Sequence, residues 1–235
     1  MEESQIQNLP EEMLMRIFRL MTPQDLKMVV LVCKLWREMG EHPSLWTWCR
    51  VTLTSRGDLE MLDIRRLQQI ESIEIESDTE TSEVEELFQT VATLPRLKNV
   101  ELYDTNLSSV EPGLLARVVN RLEMIIMLDT DMTSQQADAV FAAIAEDSTV
   151  KILSIGCNNL SNVEPSVIAK AVNRVQKVYM RSIQLSSHQV TAILRQCVEG
   201  GSVLEELDFG YNDMTMTGVE LGLIREASKK IILRY

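Results

Sequence analysis

Six times between residues 70 and 209 the chain repeats the spacing L-x-x-L-x-L, and no other feature limits its fold so tightly. The triplets are Ile70, Ile73, Ile75; Leu97, Val100, Leu102; Leu122, Ile125, Met127; Val150, Leu153, Ile155; Val175, Val178, Met180; and Leu204, Leu207, Phe209. Their first members follow one another at steps of 27, 25, 28, 25 and 29 residues. A period of this length means a solenoid, in which each unit hides its apolar face only by stacking on the next. The closing pair of each triplet has the two-residue spacing of a strand. Apolar residues at helical spacing then follow, such as Val84, Leu87, Phe88 and Val91, or Ala137, Val140, Phe141 and Ile144. Steps alternate in length, so the true unit is a pair of repeats: LSSVEPGLLARVVNRLE from Leu107 to Glu123 returns as LSNVEPSVIAKAVNRVQ from Leu160 to Gln176. Pro112 and Pro165 suit first-turn positions, with Ser134 and Ser187 as N-caps of the intervening helices.

Units of this length and apolar spacing resemble leucine-rich repeats of the long, ribonuclease-inhibitor type. The resemblance implies an α/β horseshoe with parallel strands inside and helices outside. The asparagine that usually follows the strand stands at Asn158 and Asn212 and is replaced by Asp78, Thr105, Thr130 and Ile183, so the repeats are divergent. Val51, Leu53 and residues 57–69 are expected to supply a first strand and helix, and the terminal IILRY a last strand.

Alternate residues of a strand face opposite sides. With the triplets pointing inward, Tyr103, Met124, Ile126, Leu128, Ile152 and Tyr179 fall side by side on the concave face. Glu74, Glu76 and Glu101 flank them on one side, Lys177 and Arg181 on the other. Contiguous exposed apolar surface marks interaction sites. The candidate target-binding residues are therefore Tyr103, Met124, Ile126, Leu128, Ile152, Lys177, Tyr179 and Arg181. Because LEMIIMLD is apolar under either alternation, a one-residue register shift, or coverage by another segment, stays open at this level.

The first fifth of the chain is different. From Leu9 to Trp48 it packs more apolar residues into short helices than those helices can hide among themselves. Leu14, Ile17, Phe18 and Met21 recur at helical spacing after Pro10. Thr22, Pro23 and Asp25 then announce a second helix, apolar around nearly its whole circumference from Leu26 to Trp36 and closed by Gly40 and Pro43. A unit of about 40 residues seldom builds a sufficient core alone and leans on a partner.

Leu9 and Pro10, Ile17 and Phe18, Asp25 and Leu26, Val32, Cys33 and Trp36, then Leu45 and Trp46, resemble an F-box. The resemblance implies a three-helix module that docks on the Skp-type adaptor of cullin-RING (SCF-type) ubiquitin ligases. It assigns Leu9, Pro10, Ile17, Phe18, Val32, Cys33, Trp36 and Trp46 to adaptor contact or its support. Val30 and Leu31 depart from it, since F-boxes often carry small residues there. The implied division is an F-box over residues 5–50 and a repeat horseshoe over 51–235, packed together directly because no polar Gly- or Ser-rich linker separates them.

Composition excludes several function classes. A formal charge of −12, of which residues 1–50 with six basic and seven acidic side chains hold almost none, weighs against nucleic acid or an anionic membrane as partner. It fits either simple solubility or a basic protein partner. MEESQIQN is unlike a signal peptide and no apolar run nears the roughly 20 residues of a membrane span, so a cytoplasmic or nuclear protein is expected. Cys33, Cys49, Cys157 and Cys197 lie far apart, as reduced, buried thiols would, and call for no metal or cofactor. Asn106 and Asn159 open Asn-Leu-Ser sequons but read as turn residues, as do Asp129 and Asp131. His42 and His188 lack a neighbouring nucleophile motif, and no phosphate loop or H-E-x-x-H occurs. These readings converge on a non-catalytic substrate-recognition subunit of a cullin-RING ubiquitin ligase. The rivals are a repeat scaffold with no ubiquitin role and an enzyme built on Cys157 or His188.

Overall fold

Eight short strands lie side by side in chain order in one parallel sheet: β1 (Arg50–Leu53), β2 (Ser72–Ile75), β3 (Asn99–Tyr103), β4 (Met124–Leu128), β5 (Ile152–Ser154), β6 (Lys177–Tyr179), β7 (Glu206–Asp208) and β8 (Ile232–Arg234). The computed structural model describes residues 9–47, 49–54, 57–58, 64–76, 81–212 and 218–235. Parallel neighbours need a crossover, and helices supply it: α5 (Ile64–Leu67), α6 (Thr81–Val91), α7 (Pro112–Val119), α8 (Ser134–Glu146), α9 (Pro165–Val172), α10 (Ser187–Glu199) and α11 (Gly218–Ala227). Ahead of the sheet come α1 (Glu11–Phe18), α2 (Pro23–Val29), α3 (Lys34–Gly40) and the single turn α4 (Pro43–Trp46). A one-strand-per-turn parallel sheet flanked by helices is the arrangement a solenoid-like repeat requires.

The core follows the triplets. Val100, Ile125, Leu153, Val178 and Leu207 stand in register on adjacent strands and are wholly buried. Helix residues such as Leu115, Val140, Phe141 and Val172 close over them.

Polar side chains stitch the turns together. The Asn158 amide donates to the carbonyls of Met127, Ile155 and Gly156, and its oxygen accepts from the Thr130 N–H and hydroxyl and from the Met132 N–H. One buried side chain thereby serves two successive turns. Asn212 repeats this one pair of repeats later, donating to Met180, Phe209 and Gly210 and accepting from the N–H groups of Ile183 and Leu185. At the equivalent earlier position the Thr105 hydroxyl reaches the carbonyls of Ile75 and Tyr103. Thr130 and Ile183 are thus not degraded asparagines: they occupy the turns that receive the next repeat's asparagine. Asp78 lies outside the described residues.

The paired unit has a second device. Gln136 and Gln189 complete capping boxes with Thr133 and Ser186, one residue earlier than the expected N-caps Ser134 and Ser187. Their amides then reach the preceding turn, to the carbonyls of Leu107 and Val110 and of Leu160 and Val163. Those carbonyls belong to the recurring segments LSSVEP and LSNVEP, so the same bond joins the same turns in both copies. Left-handed backbone recurs with them at Asp104, Cys157 and Tyr211, at Asp129 and Ser182, and at Asp131 and Gln184, so Asp129 and Asp131 do serve as turn residues.

The expected long second helix is broken. α2 stops at Val29, and α3 restarts from Cys33, which is extended (φ −158°, ψ 174°). Apolar cover around the whole circumference arises because Val30, Leu31 and Val32 sit in the turn between two helices with different buried faces. Gly40 accommodates the departure at Val30: a Cβ there would lie 2.9 Å from Val30 Cγ1. Trp46 is buried, its indole N–H donating to the Gly40 carbonyl, and the Arg66 guanidinium lies 5.0 Å over its ring. The N-terminal helices therefore pack on the first turn of the sheet within one continuous apolar core. At the other end β8 pairs, among the described residues, with β7 alone, and Ile232 is 59% exposed.

Replacing Asn158 by Ala orphans buried groups in two turns, and unfolding in urea should show a loss on the order of 3 kcal/mol. Asn212→Ala, at a half-buried site, should cost less.

Candidate functional site

Two surfaces stand out, and the sheet builds the first. Ile125 and Met127 point into the core, which leaves Met124, Ile126 and Leu128 half-buried on the opposite face and settles the register of LEMIIMLD. In the ladders, Met124 lies beside Ile152 and then Lys177, Ile126 beside Ser154 and then Tyr179, and Leu128 beside Tyr103. All eight residues expected on the concave face are thus brought together there, Arg181 just beyond the end of β6.

Charge on this face differs from expectation. Glu101 is buried rather than a free rim acid: Arg50 Nη2 stands 2.8 Å from it and the Tyr103 hydroxyl donates to it at 2.8 Å. Arg50 also lies 3.8 Å from Glu74. The far side mirrors this, with Arg234 2.9 Å from Glu206 and the Tyr179 hydroxyl donating to the same carboxylate. Arg181 donates from Nε to Asp208 at 2.8 Å. Each edge of the apolar rows therefore carries an arginine, a buried carboxylate and a tyrosine. Burial first, then the hydrogen bond to Glu101 and the charges of Glu101 and Glu74, push the Tyr103 phenol up to about 12; burial and Glu206 raise that of Tyr179. Lys177 has no ion-pair partner among the described residues.

The second surface lies on the N-terminal helices. Of the residues singled out there, Pro10 and Val32 are exposed, Leu9, Ile17, Cys33 and Trp36 are half-buried, and Phe18 and Trp46 are buried. Phe18 meets Trp36 edge-on at 5.3 Å, so these two aromatics with Trp46 hold the helices together rather than face outward. What sequence reasoning missed is Leu31, 68% exposed, and Met28, 64% exposed, which join Val32 at 57% on one side of the α2 end. Met13 and Leu20 are exposed on and just after α1. The signal was the unbroken apolar run from Met28 to Val32, hidden by reading it as continuous helix.

The candidate catalytic groups are not assembled. His42 caps α4 through Nδ1, Cys157 is exposed in a left-handed turn and Cys33 half-buried at the start of α3 rather than both being core thiols as expected, and no hydrogen bond joins Cys157 to His188 among the described residues. Burial pushes the Cys49 thiol up to about 11 and raises that of Cys197, which suits inert core thiols. No helix among the described residues is long and apolar enough to cross a membrane.

Residues 6–52 match the F-box-like family. A stretch of 58 residues, 25% of this chain, is 36% identical to F-box/LRR-repeat protein 5 of Danio rerio and covers 8% of that protein. The chain thus carries an F-box-like domain near its N-terminus, on the same helices that expose Met28, Leu31 and Val32, and it spans only a small part of the relative it matches.

One pH effect follows from the concave face. Burial alone would raise the Asp208 pKa, but hydrogen bonds from Arg181 and the Gly210 N–H, with the charges of Arg181 and Arg234, outweigh it and hold the carboxyl below its usual range. Its contribution to stability is complete above the unfolded-state value of about 3.9 and is lost as pH falls through the native value. Resistance to urea should fall on acidification below about pH 4, and Asp208→Asn should flatten part of that slope.

Proposed function

We propose that this protein is a substrate-recruiting subunit of an SCF-type cullin-RING ubiquitin ligase. Residues 5–50 dock a Skp-type adaptor, and residues 51–235, a divergent leucine-rich-repeat horseshoe, hold a protein target on the concave face. The observation that carries this reading is the apolar surface at Met28, Leu31 and Val32, left open on a segment that matches the F-box-like family. Side chains of that size do not stay in water without cost, and an adaptor helix laid over them recovers the burial. The role is non-catalytic. Bringing a target to a charged conjugating enzyme raises its effective concentration, and proximity alone accelerates transfer. The direct fit of Trp46 beneath Arg66 supports a rigid relation between adaptor and target, which such transfer needs.

Leu31→Asp combined with Val32→Asp should reduce capture of a purified Skp-type adaptor by at least about tenfold while leaving thermal unfolding of the repeats unchanged. Undiminished capture would overturn the assignment. Phe18→Ala should also lose capture, but by a different route, since emptying that buried site costs about 3–5 kcal/mol and loosens the helices themselves.

A further inference from the structure

Resting on that receptor reading, we propose that the segment held on the concave face is a single amphipathic α-helix, apolar on the side it presents and carrying an acidic side chain that meets Lys177. Three observations lead there.

The first is backbone saturation. Strands β2 to β7 each have a neighbour on both sides, so their N–H and C=O groups are spent in the ladder. A segment lying across this face meets side chains only. An extended segment would bring its own amides against Met124, Ile126 and Ile152 with nothing to bond them, whereas a helix arrives with its backbone already satisfied.

The second is size. The apolar rows run from Tyr103 on β3 to Tyr179 on β6, three interstrand spacings or roughly 14 Å. One helix with its side chains, about 10–12 Å across, covers that width and a pair does not fit. Ser154 on β5 is a small residue between Ile126 and Tyr179 in the ladder, and Gly156 beyond it is buried against Leu128 and the Arg181 carbonyl, so the middle of the face carries no bulky side chain at these two positions.

The third is charge. The chain as a whole is strongly acidic, yet on this face Glu101, Glu206 and Asp208 are each covered by an arginine. Lys177, beside Ile152, is the cation bordering the apolar rows that keeps no ion-pair partner among the described residues. At the β6 side of the rows complementarity therefore selects an acidic side chain opposite Lys177, while Glu74 and Glu76 lie at the other edge, on and just after β2.

The test uses the full chain and two fluorescein-labelled helical peptides of about 15 residues, four turns, with one leucine stripe in common and glutamates flanking it in one and lysines in the other. Fluorescence anisotropy should show the glutamate peptide binding about fivefold or more tighter than the lysine peptide. Lys177→Glu should abolish or invert that preference. Ile126→Arg, with an unchanged circular dichroism spectrum, should weaken both peptides by at least about tenfold. A proline placed mid-peptide should remove binding. Equal affinity for the two peptides, indifference to the proline, or no binding of either would overturn the inference. If such a chain still captures the adaptor, the failure falls on the helix proposal alone and the ligase reading stands.

Discussion

No single turn of this chain can bury its own apolar face, and the structure is organised by that constraint. Each strand and helix hides Val100, Ile125, Leu153 and their equivalents only because the next turn lies against it. Stability is therefore carried between neighbours, and the polar groups in each turn must be satisfied across the same boundary. Asn158 and Asn212 do this for two turns at once, and Gln136 and Gln189 do it from the helical side. The alternation of donor and receiver turns makes the unit a pair of repeats.

A stack held by neighbours has two ends, and they are treated differently. At one end the N-terminal helices close the core, with Trp46 and Cys49 continuous with Val51. At the other, β8 pairs with β7 among the described residues, and Tyr235 stacks on Phe209 at 6.1 Å. The closing helices are too few to bury themselves as well, so they spend Leu14, Phe18 and Leu26 inward and leave Met28, Leu31 and Val32 in water. The same shortage that makes them a lid leaves them with exposed apolar side chains.

The face of the sheet opposite the helices has the complementary economy. Strands facing away from the helices show every second residue, and here those residues are apolar in the middle and ion-paired at both edges. Arg50 and Arg234 come from the outermost strands β1 and β8, so the neutralised borders depend on the whole sheet being assembled. Tyr103 and Tyr179 are fixed by the carboxylates those arginines hold.

Much of this was legible in the linear chain. The triplet period set the solenoid, the strand spacing and the identity of the inward residues, because burial on one side of a strand imposes a period of two that composition cannot disguise. The N-terminal excess of apolar residues likewise pointed to side chains left uncovered, because short helices cannot hide so many among themselves. Tertiary structure alone decided which of those residues face outward: Phe18 packs on Trp36 and Trp46 on Gly40, while the break between Val29 and Lys34 leaves Leu31 and Val32 in an exposed turn that no local spacing encodes. It alone also decided the charge of the concave face, since Arg50 and Glu101 are 51 positions apart and only the parallel ladder brings them to 2.8 Å. Periodicity is a short-range property that sequence displays directly, whereas helix reversal and ion pairing across strands are long-range consequences of packing.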